Sequence, residues 1–184
     1  RGLRRVEAFI HAYTYRSYHL GFGALSATLG HVHGLLGSRG YQVADTETFL
    51  RWDDYDDATS DPPNATVEIA TKTDEGGGRL PDFAVHATRE GALVGECINH
   101  SVGRYSRARE AQSTLFTAWL GVSDEWQGQG WRRYLLTRSL AVGRQLGYRD
   151  AVISVDGRNW RALLLYANAG YSMVNTAYSF RKDA

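Results

Sequence analysis

A glycine-rich segment between an apolar run and a helical pattern carries the clearest chemistry in this sequence. The apolar run ends at Val122, and the turn Gln127-Gly128-Gln129-Gly130 leads into a helical pattern near Trp131. Glycine lets the backbone approach a ligand closely. The first amides of a helix have no partner inside the helix and carry the positive end of its dipole. This order of strand, turn and helix predicts a binding site for a phosphate group.

Two familiar phosphate loops fit this segment incompletely. The P-loop requires Gly-Lys-Ser/Thr, which does not occur here. The dinucleotide fingerprint requires a third glycine where Arg133 stands, although Asp150 is an acidic residue about twenty positions further on, as that fingerprint demands. A Gly-x-Gly turn that binds nothing is the third interpretation.

Hydrophobic periodicity predicts the elements that must position this turn. A set of strands is followed by a β-α-β-α-β order, which indicates an α/β fold with a mixed, mostly antiparallel central sheet and flanking helices. The predicted helices cover residues 3–13, 23–36, 129–146 and 159–168. The predicted strands cover residues 17–22, 43–52, 66–71, 82–88, 92–99, 115–122, 150–155 and 174–180, with a three-residue turn at 89–91.

An internal repeat of dipeptides predicts how the chain is organised. Tyr15-Arg16 and Gly40-Tyr41 are echoed about 130 residues later by Tyr148-Arg149 and Gly170-Tyr171. We therefore predict that residues 1–55 are the C-terminal half of a first unit, residues 56–64 an acidic linker, and residues 65–184 a second unit that holds the phosphate site. The alternative is that two unrelated α/β segments look alike at this level. The acidic run lacks the glycine and glutamate spacing of a calcium loop, so no metal is expected.

Composition narrows the class of partner. The formal net charge of +1 gives no reason to expect nucleic acid or an anionic membrane surface as a partner. No apolar run approaches the roughly 18 residues of a membrane helix. The single cysteine, Cys97, excludes an internal disulfide, fits a reducing compartment and is expected to be a buried hydrophobe. The basic residues are nearly all Arg, a bias that indicates a GC-rich genome. We therefore expect a bacterial, cytoplasmic protein.

A second motif, taken with the first, resembles a known family. Asn159, Ala162, Tyr166 and Gly170-Tyr171 stand at the spacing Asn-x-x-Ala-x-x-x-Tyr-x-x-x-Gly-Tyr. Together with the Gln127–Arg132 turn, this pattern resembles the GNAT superfamily of acyl-CoA N-acyltransferases over about residues 82–180. Residues 1–55 resemble the end of another such unit, as in a tandem GNAT protein.

The resemblance implies an acyl-CoA-dependent N-acyltransferase that moves an acetyl group from acetyl-CoA to a primary amine by direct attack. It implies that the turn holds the pyrophosphate, that the end of the preceding strand holds the pantetheine arm, and that Tyr166 protonates the leaving thiolate. The alternative for Tyr166 is a core tyrosine on an apolar helix face. The cofactor-binding residues it implies are Leu120, Gly121, Val122, Gln127, Gly128, Gln129, Gly130, Trp131, Arg132 and Asn159. The acceptor would be a small-molecule or peptide amine, and a homodimer stays open.

The attacking amine must lose a proton, and Glu96 is the best carboxylate in the region to take it. The alternatives are that Glu96 faces solvent, or that His86, His100 or a chain of water molecules serves instead. Trp119 and Trp126 are expected to pack in the core, and the alternative for Trp119 is a position in the acyl site. The loop with Arg104, Arg107 and Arg109 either is solvated or holds an anionic substrate.

Two departures from the family pattern support a rival hypothesis. Arg132 stands where the family has Gly or Ala, and residues before Asp82 leave no room for the two helices that follow the first GNAT strand. The rival is a catalytically degenerate module that binds CoA or serves as a structural or dimerisation domain. A dinucleotide-dependent oxidoreductase is the remaining alternative.

Overall fold

The computed structural model describes residues 5–10, 24–56 and 61–183. Within these ranges the strands are β1 (Arg5–Ala8), β2 (Leu25–Ser26), β3 (Gln42–Trp52), β4 (Glu68–Asp74), β5 (Asp82–Arg89), β6 (Ala92–Ser101), β7 (Thr114–Val122), β8 (Asp150–Asp156) and β9 (Ser172–Asp183). The helices are α1 (Gly30–Ser38), α2 (Trp131–Leu146) and α3 (Trp160–Ala169).

The strands form a mixed sheet in the order β1-β9-β3-β8-β7-β6-β5-β4, and β2 pairs with β9. Strands β4 to β7 pair antiparallel in sequence order, whereas β7 and β8 pair parallel. A parallel pair needs a crossover connection, and α2 supplies it. The predicted mixed, mostly antiparallel sheet with helices is confirmed.

The chain forms two compact units. The first comprises Arg1–Leu50, Ser154–Tyr166 and Ser172–Ala184, and the second comprises Arg51–Ile153 and Ala167–Tyr171. This partition concerns packing and does not test the predicted repeat with boundaries at 55 and 65, which stays a prediction.

In the second unit, α2 packs on one face of the β5–β6–β7 meander. Val85, Cys97 and Leu115 have no exposed surface, and Leu135 of α2 is equally buried. Strand side chains alternate between faces, so the residues next to each of these point away from α2. Gly95 brings the layers close, because a Cβ there would lie 2.7 Å from the Gly121 carbonyl oxygen and 2.9 Å from Leu135 Cδ1.

The turn between β5 and β6 is tighter than predicted. Arg89 pairs with Ala92, so the loop has two residues, Glu90 and Gly91, with φ of 51° and 80°. Two consecutive left-handed residues are typical of the turn that matches the right-handed twist of a hairpin. The predicted three-residue turn is therefore wrong.

In the first unit, β1 and β2 both pair with β9. Ala8 lies opposite Phe180, and Leu25 lies opposite Tyr178. The helix predicted over residues 3–13 is wrong for the described residues 5–8, because pairing with β9 outweighs the helical spacing of a few apolar residues.

The second predicted helix starts later than expected. Leu25–Ser26 is a strand, and α1 begins only at Gly30 and ends at Ser38. His33 of α1 lies within hydrogen-bonding distance of the Ser26 carbonyl and packs edge-on against Tyr178 and Phe180. The strand predicted over residues 17–22 falls outside the described residues.

The acidic segment after β3 is partly packed. Tyr55 has no exposed surface, and its backbone amide donates to the carbonyl of Arg149. Asp54 accepts a 2.7 Å hydrogen bond from Arg144, and this partner lowers the pKa of the Asp54 carboxyl. Within the described ranges, none of the helices has the length and apolar character that crossing a membrane requires.

Two helical glycines should respond oppositely to alanine. A Cβ at Gly143 would lie 2.7 Å from Tyr55 Oη and 3.0 Å from Leu115 Cδ2, whereas a Cβ at Gly34 would meet nothing within 4 Å. Gly143→Ala should lower the free energy of unfolding by about 1–3 kcal/mol through overpacking. Gly34→Ala should raise it by about 0.5–1 kcal/mol through helix propensity. Urea unfolding of both variants measures the difference, and equal stabilisation by both would contradict the packing described for α2.

Candidate functional site

The segment between β7 and α2 is a short turn with a well-defined backbone. A 3-10 turn over Asp124–Trp126 follows Val122, and Gly128 and Gly130 then adopt φ of 74° and 89°. A Cβ at Gly128 would meet nothing within 4 Å, so the backbone conformation alone favours glycine there. The left-handed Gly130 directs the chain into the first turn of α2.

Side-chain amides hold this turn in place. Gln127 Nε2 donates 2.7 Å to Asp124 Oδ1, and Gln129 Nε2 donates 3.0 Å to the Glu125 carbonyl. These two glutamines therefore have their amides engaged within the turn, which leaves backbone N–H groups as the predicted contacts to a ligand.

The start of α2 has the electrostatics of an anion site. Its N-cap is Gly130, no side chain caps it, and no acidic residue lies in its first turn. Arg132 and Arg133 stand there instead, and both are exposed. Cations beside the positive end of a helix dipole are unfavourable unless an anion joins them. The arrangement is therefore suited to a phosphate.

The buried side chain of Trp131 anchors the start of this helix. It is 1% exposed, and its ring packs edge-on against Trp126 and Tyr134 at centroid distances of 6.3 and 5.7 Å. Burial of one large aromatic fixes the position of the adjacent backbone amides. Its role as a cofactor-binding residue stays a prediction.

A β-bulge in β7 changes the strand just before the turn. Ile98 pairs with Trp119 but Asn99 pairs with Thr117, so Ala118 has no partner on β6. The parallel pairing with β8 also ends at Thr117, opposite Ile153. Bulges bend a strand and increase its twist. In the second unit, the β7 edge after Thr117 is therefore open for a ligand that pairs like a strand.

Buried polar groups fix the register at this bulge. Asn99 has no exposed surface, accepts a 3.0 Å hydrogen bond from Thr117 Oγ1 and donates 3.3 Å to the Cys97 carbonyl. An unpaired buried amide is costly, so these bonds disfavour a slip of β7 along β6.

Glu96 lies on the face of β6 that points away from α2. It is directly opposite His86 on β5, and His86 Nδ1 lies 3.4 Å from Glu96 Oε2. Both side chains are about one quarter exposed, at 24% and 26%. The carboxylate is therefore half-buried, beside an imidazole and reachable from solvent. A proton-accepting role stays a prediction.

Trp119 was expected in the core, and this is wrong. Its side chain is 57% exposed, on the same face as Glu96. The cause is the bulge, which turns both Ala118 and Trp119 outward. Gly121 lies beneath the indole, since a Cβ there would be 2.8 Å from Trp119 Nε1.

The basic loop after β6 has a structural function at one position. Arg104 forms a 2.6 Å ion pair with Asp82, which is 7% exposed and also accepts the Ser101 amide at 2.8 Å. His100 lies 3.2 Å from the Tyr105 hydroxyl, and burial lowers the pKa of its imidazole. Arg107 and Arg109 are exposed, as a solvated loop predicts.

The second motif is divided between the units: Asn159, Ala162 and Tyr166 belong to the first, and Gly170-Tyr171 to the second. Asn159 Oδ1 accepts the Ala162 amide at 3.2 Å and so caps α3. Tyr166 is 6% exposed and shares the buried face of α3 with Ala162. The second unit thus brings together Glu96, Gly121 and the turn, whereas Asn159 and Tyr166 belong to the other unit.

Cys97 is a core residue, as expected. Burial raises the pKa of its thiol from 9.0 to about 11. Within the described ranges, no group of three or more His, Cys, Asp and Glu side chains is placed to hold a metal ion.

We predict that the Cys97 thiol contributes stability that is lost at high pH. Between pH 9 and 11 the unfolded chain loses a thiol proton that the native protein retains, so the free energy of unfolding falls as pH rises. Urea unfolding at pH 8 and pH 10.5 should show a smaller fall for Cys97→Ala than for the wild type. Buried Tyr134 and Tyr148 are common to both proteins and cancel in the comparison. Identical pH dependence would contradict the raised pKa.

Comparisons with known proteins bear on the fold. No protein-family model matches the sequence, and no curated protein is significantly similar to it. Solved structures do match. A GCN5-related N-acetyltransferase from Sphaerobacter thermophilus is 20% identical with a TM-score of 0.58, and the alignment covers 87% of this chain and 58% of that one.

Two further solved structures are also similar to this chain. A GCN5-related N-acetyltransferase from Kribbella flavida is 15% identical with a TM-score of 0.59, covering 86% of this chain and 65% of that one. A tandem GNAT protein from the clavulanic acid biosynthesis pathway is 10% identical with a TM-score of 0.65, covering 97% and 62%. The chain thus spans 58% to 65% of the lengths of these three proteins. The strand order and these likenesses together show that the chain has the fold of the GCN5-related N-acetyltransferases.

Proposed function

We propose that this protein is an acyl-CoA-dependent N-acyltransferase that transfers an acetyl group from acetyl-CoA to a primary amine. One observation carries the proposal: α2 begins at a left-handed glycine, with no side-chain cap and no acidic residue in its first turn, one short turn after a strand whose edge is open from Ala118 onward. A pyrophosphate and a peptide-like arm are the two parts of coenzyme A that such a junction fits.

The pyrophosphate would lie against the backbone amides that start α2. Four N–H groups at a helix start lack partners inside the helix, and the dipole adds positive potential. Arg132 replaces a small residue of the family pattern, but its side chain is exposed. It therefore adds positive charge near the phosphates rather than filling the turn.

The pantetheine arm would pair with β7 as an added strand does. Its two amide groups can exchange hydrogen bonds with Leu120, Gly121 and Val122, in the manner of peptides that bind a sheet edge. A backbone amide in this stretch would also donate to the thioester carbonyl and stabilise the oxyanion that forms on attack.

The reaction needs two proton movements. The amine nitrogen attacks the thioester carbon, the C–N bond forms, the C–S bond breaks, and the thiolate of CoA leaves. Glu96 would accept the proton that the ammonium form of the amine loses before attack. The second nitrogen proton, released as the amide forms, balances the proton that the Tyr166 hydroxyl would donate to the thiolate, whose pKa near 8.5 is close to that of tyrosine near 10.

Calorimetry with acetyl-CoA and a thiol-release assay over a panel of primary amines test the proposal. We expect acetyl-CoA to bind and thiol to appear only when an amine is present. Binding without turnover on any amine would assign the chain to the degenerate, CoA-binding class instead. Absence of binding would overturn the proposal.

Gly128→Ala should weaken acetyl-CoA binding about tenfold. Alanine disfavours the φ of 74° by about 1–2 kcal/mol, so the turn should relax and move its amides from the phosphates. Gly91→Ala is the matched control, because Gly91 has φ of 80° and equally open surroundings but lies in the β5–β6 turn. Equal Kd values for acetyl-CoA in the two variants would place the phosphates elsewhere.

Tyr166→Phe should lower kcat about 100-fold while leaving the Kd for acetyl-CoA within a few-fold, because only the proton donor is removed. Tyr148→Phe provides the control, since Tyr148 is also buried but its hydroxyl donates 3.0 Å to the Pro81 carbonyl. The control should lose stability and keep its turnover per folded molecule. Unchanged kcat in Tyr166→Phe would exclude the acid role.

A further inference from the structure

The face of the second unit opposite α2 carries two rows of side chains across four strands. Cross-strand partners lie on the same face of a sheet, so the register defines each row. The first row is Ala70, His86, Glu96 and Gly121, and the second is Lys72, Ala84, Ile98 and Trp119. Glu96 is the one acidic residue among these eight.

The indole of Trp119, which belongs to the second row, lies over Gly121 in the first row. Its Nε1 and Cε2 atoms would lie 2.8 and 3.1 Å from a Cβ at Gly121, so the ring occupies the space that a side chain at that position would take. Gly121 is the direct partner of Glu96. Directly opposed Cβ positions are typically about 5 Å apart, which places the indole next to the Cβ of Glu96.

His86 flanks Glu96 on its other side. The 3.4 Å contact between His86 Nδ1 and Glu96 Oε2 holds the carboxylate in the row, and the quarter exposure of both groups keeps it reachable. Glu96 therefore lies between an imidazole and an exposed indole. A ligand that approaches from solvent meets a negative charge with an aromatic face next to it.

This combination selects a particular chemistry. An ammonium group donates charge-assisted hydrogen bonds to a carboxylate and is attracted to the face of an indole, the best of the aromatic rings for a cation. An amine that carries a carboxylate near its nitrogen would bring like charge toward Glu96. An aryl amine is neutral near pH 7 and gains nothing from the cation site.

We infer that Trp119, Glu96 and His86 form the acceptor-recognition surface, and that the acceptor is an aliphatic amine bound as its ammonium ion without a neighbouring carboxylate. The catalytic meaning of this surface rests on the proposed function, because Glu96 then takes the proton that the bound ammonium must lose before attack. Recognition itself is a binding property that can be measured without acetyl-CoA.

Binding is tested with n-butylamine, with butan-1-ol as its neutral isostere and 2-aminopentanoate as the analogue that carries a carboxylate on the carbon next to the nitrogen. Indole N–H resonances in ¹H–¹⁵N spectra report the contact, and the Trp119 resonance is assigned by its loss in Trp119→Leu. Butylamine should shift that resonance saturably at pH 7, and butan-1-ol and 2-aminopentanoate should bind at least tenfold more weakly. Equal binding of butan-1-ol would overturn the inference.

Kinetics supply the second readout. Trp119→Leu should raise the KM for butylamine about tenfold without changing the KM for acetyl-CoA, and Trp119→Phe, which keeps an aromatic face, should raise it only two- to threefold. Trp160→Leu is the matched control, because Trp160 is 60% exposed but lies in the other unit. An unchanged amine KM in Trp119→Leu, with the enzyme active, would sink this inference while leaving the proposed function intact. If butylamine shifts the Trp119 resonance but the protein turns over no amine, the inference about amine recognition stands and the proposed function is contradicted.

Discussion

The one-residue bulge at Ala118 is the constraint on which the rest of the second unit depends. It places Asn99 opposite Thr117 and Ile98 opposite Trp119. The alternation of side chains between the two faces of the sheet therefore shifts by one residue at the bulge. Before the bulge, Thr117 points into the buried polar cluster. After it, the strand presents Trp119 outward and parts from β8. In a strand of regular register, the alternation of side chains would turn the indole to the face that packs on α2.

Electrostatics at the start of α2 depend on this geometry in turn. The open edge of β7 ends at Val122, only a short turn before the uncapped amides of the helix. Arg132 and Arg133 add positive charge at the N-terminus of α2, where the helix dipole is also positive, and this destabilises the ligand-free protein slightly. Such a local cost is typical of a region shaped for a ligand rather than for stability.

The sequence predicted long-range features unevenly. The glycine-rich turn, the helix after it and the Gly147 stop follow local rules, and the structure places α2 at Trp131–Leu146 with Gly147 in the left-handed conformation. The N-terminal strand was missed because a few apolar residues at helical spacing say nothing about a partner strand far away in the sequence. Tertiary pairing with β9 decides that segment.

The pairing of His86 with Glu96 shows a second reason for failure. Counting back from the two-residue turn, with Arg89 opposite Ala92, would place His86 opposite Gly95. A register shift at Ala87 moves it by one residue and brings the imidazole to the carboxylate. Bulges of this kind carry no sequence signal as strong as Asn-Gly or Pro, so the candidate base could be named from the sequence but its neighbours could not.

Strand β4 lies at the end of the strand order, and this position affects self-association of the protein. An edge strand has a row of unpaired backbone N–H and C=O groups that can pair with a strand of another molecule. Along one side of β4 stand Glu68, Lys72 and Asp74, all exposed. A second copy docking there would have to strip water from charges of both signs along the whole contact. These charges therefore discourage self-association by strand addition at β4.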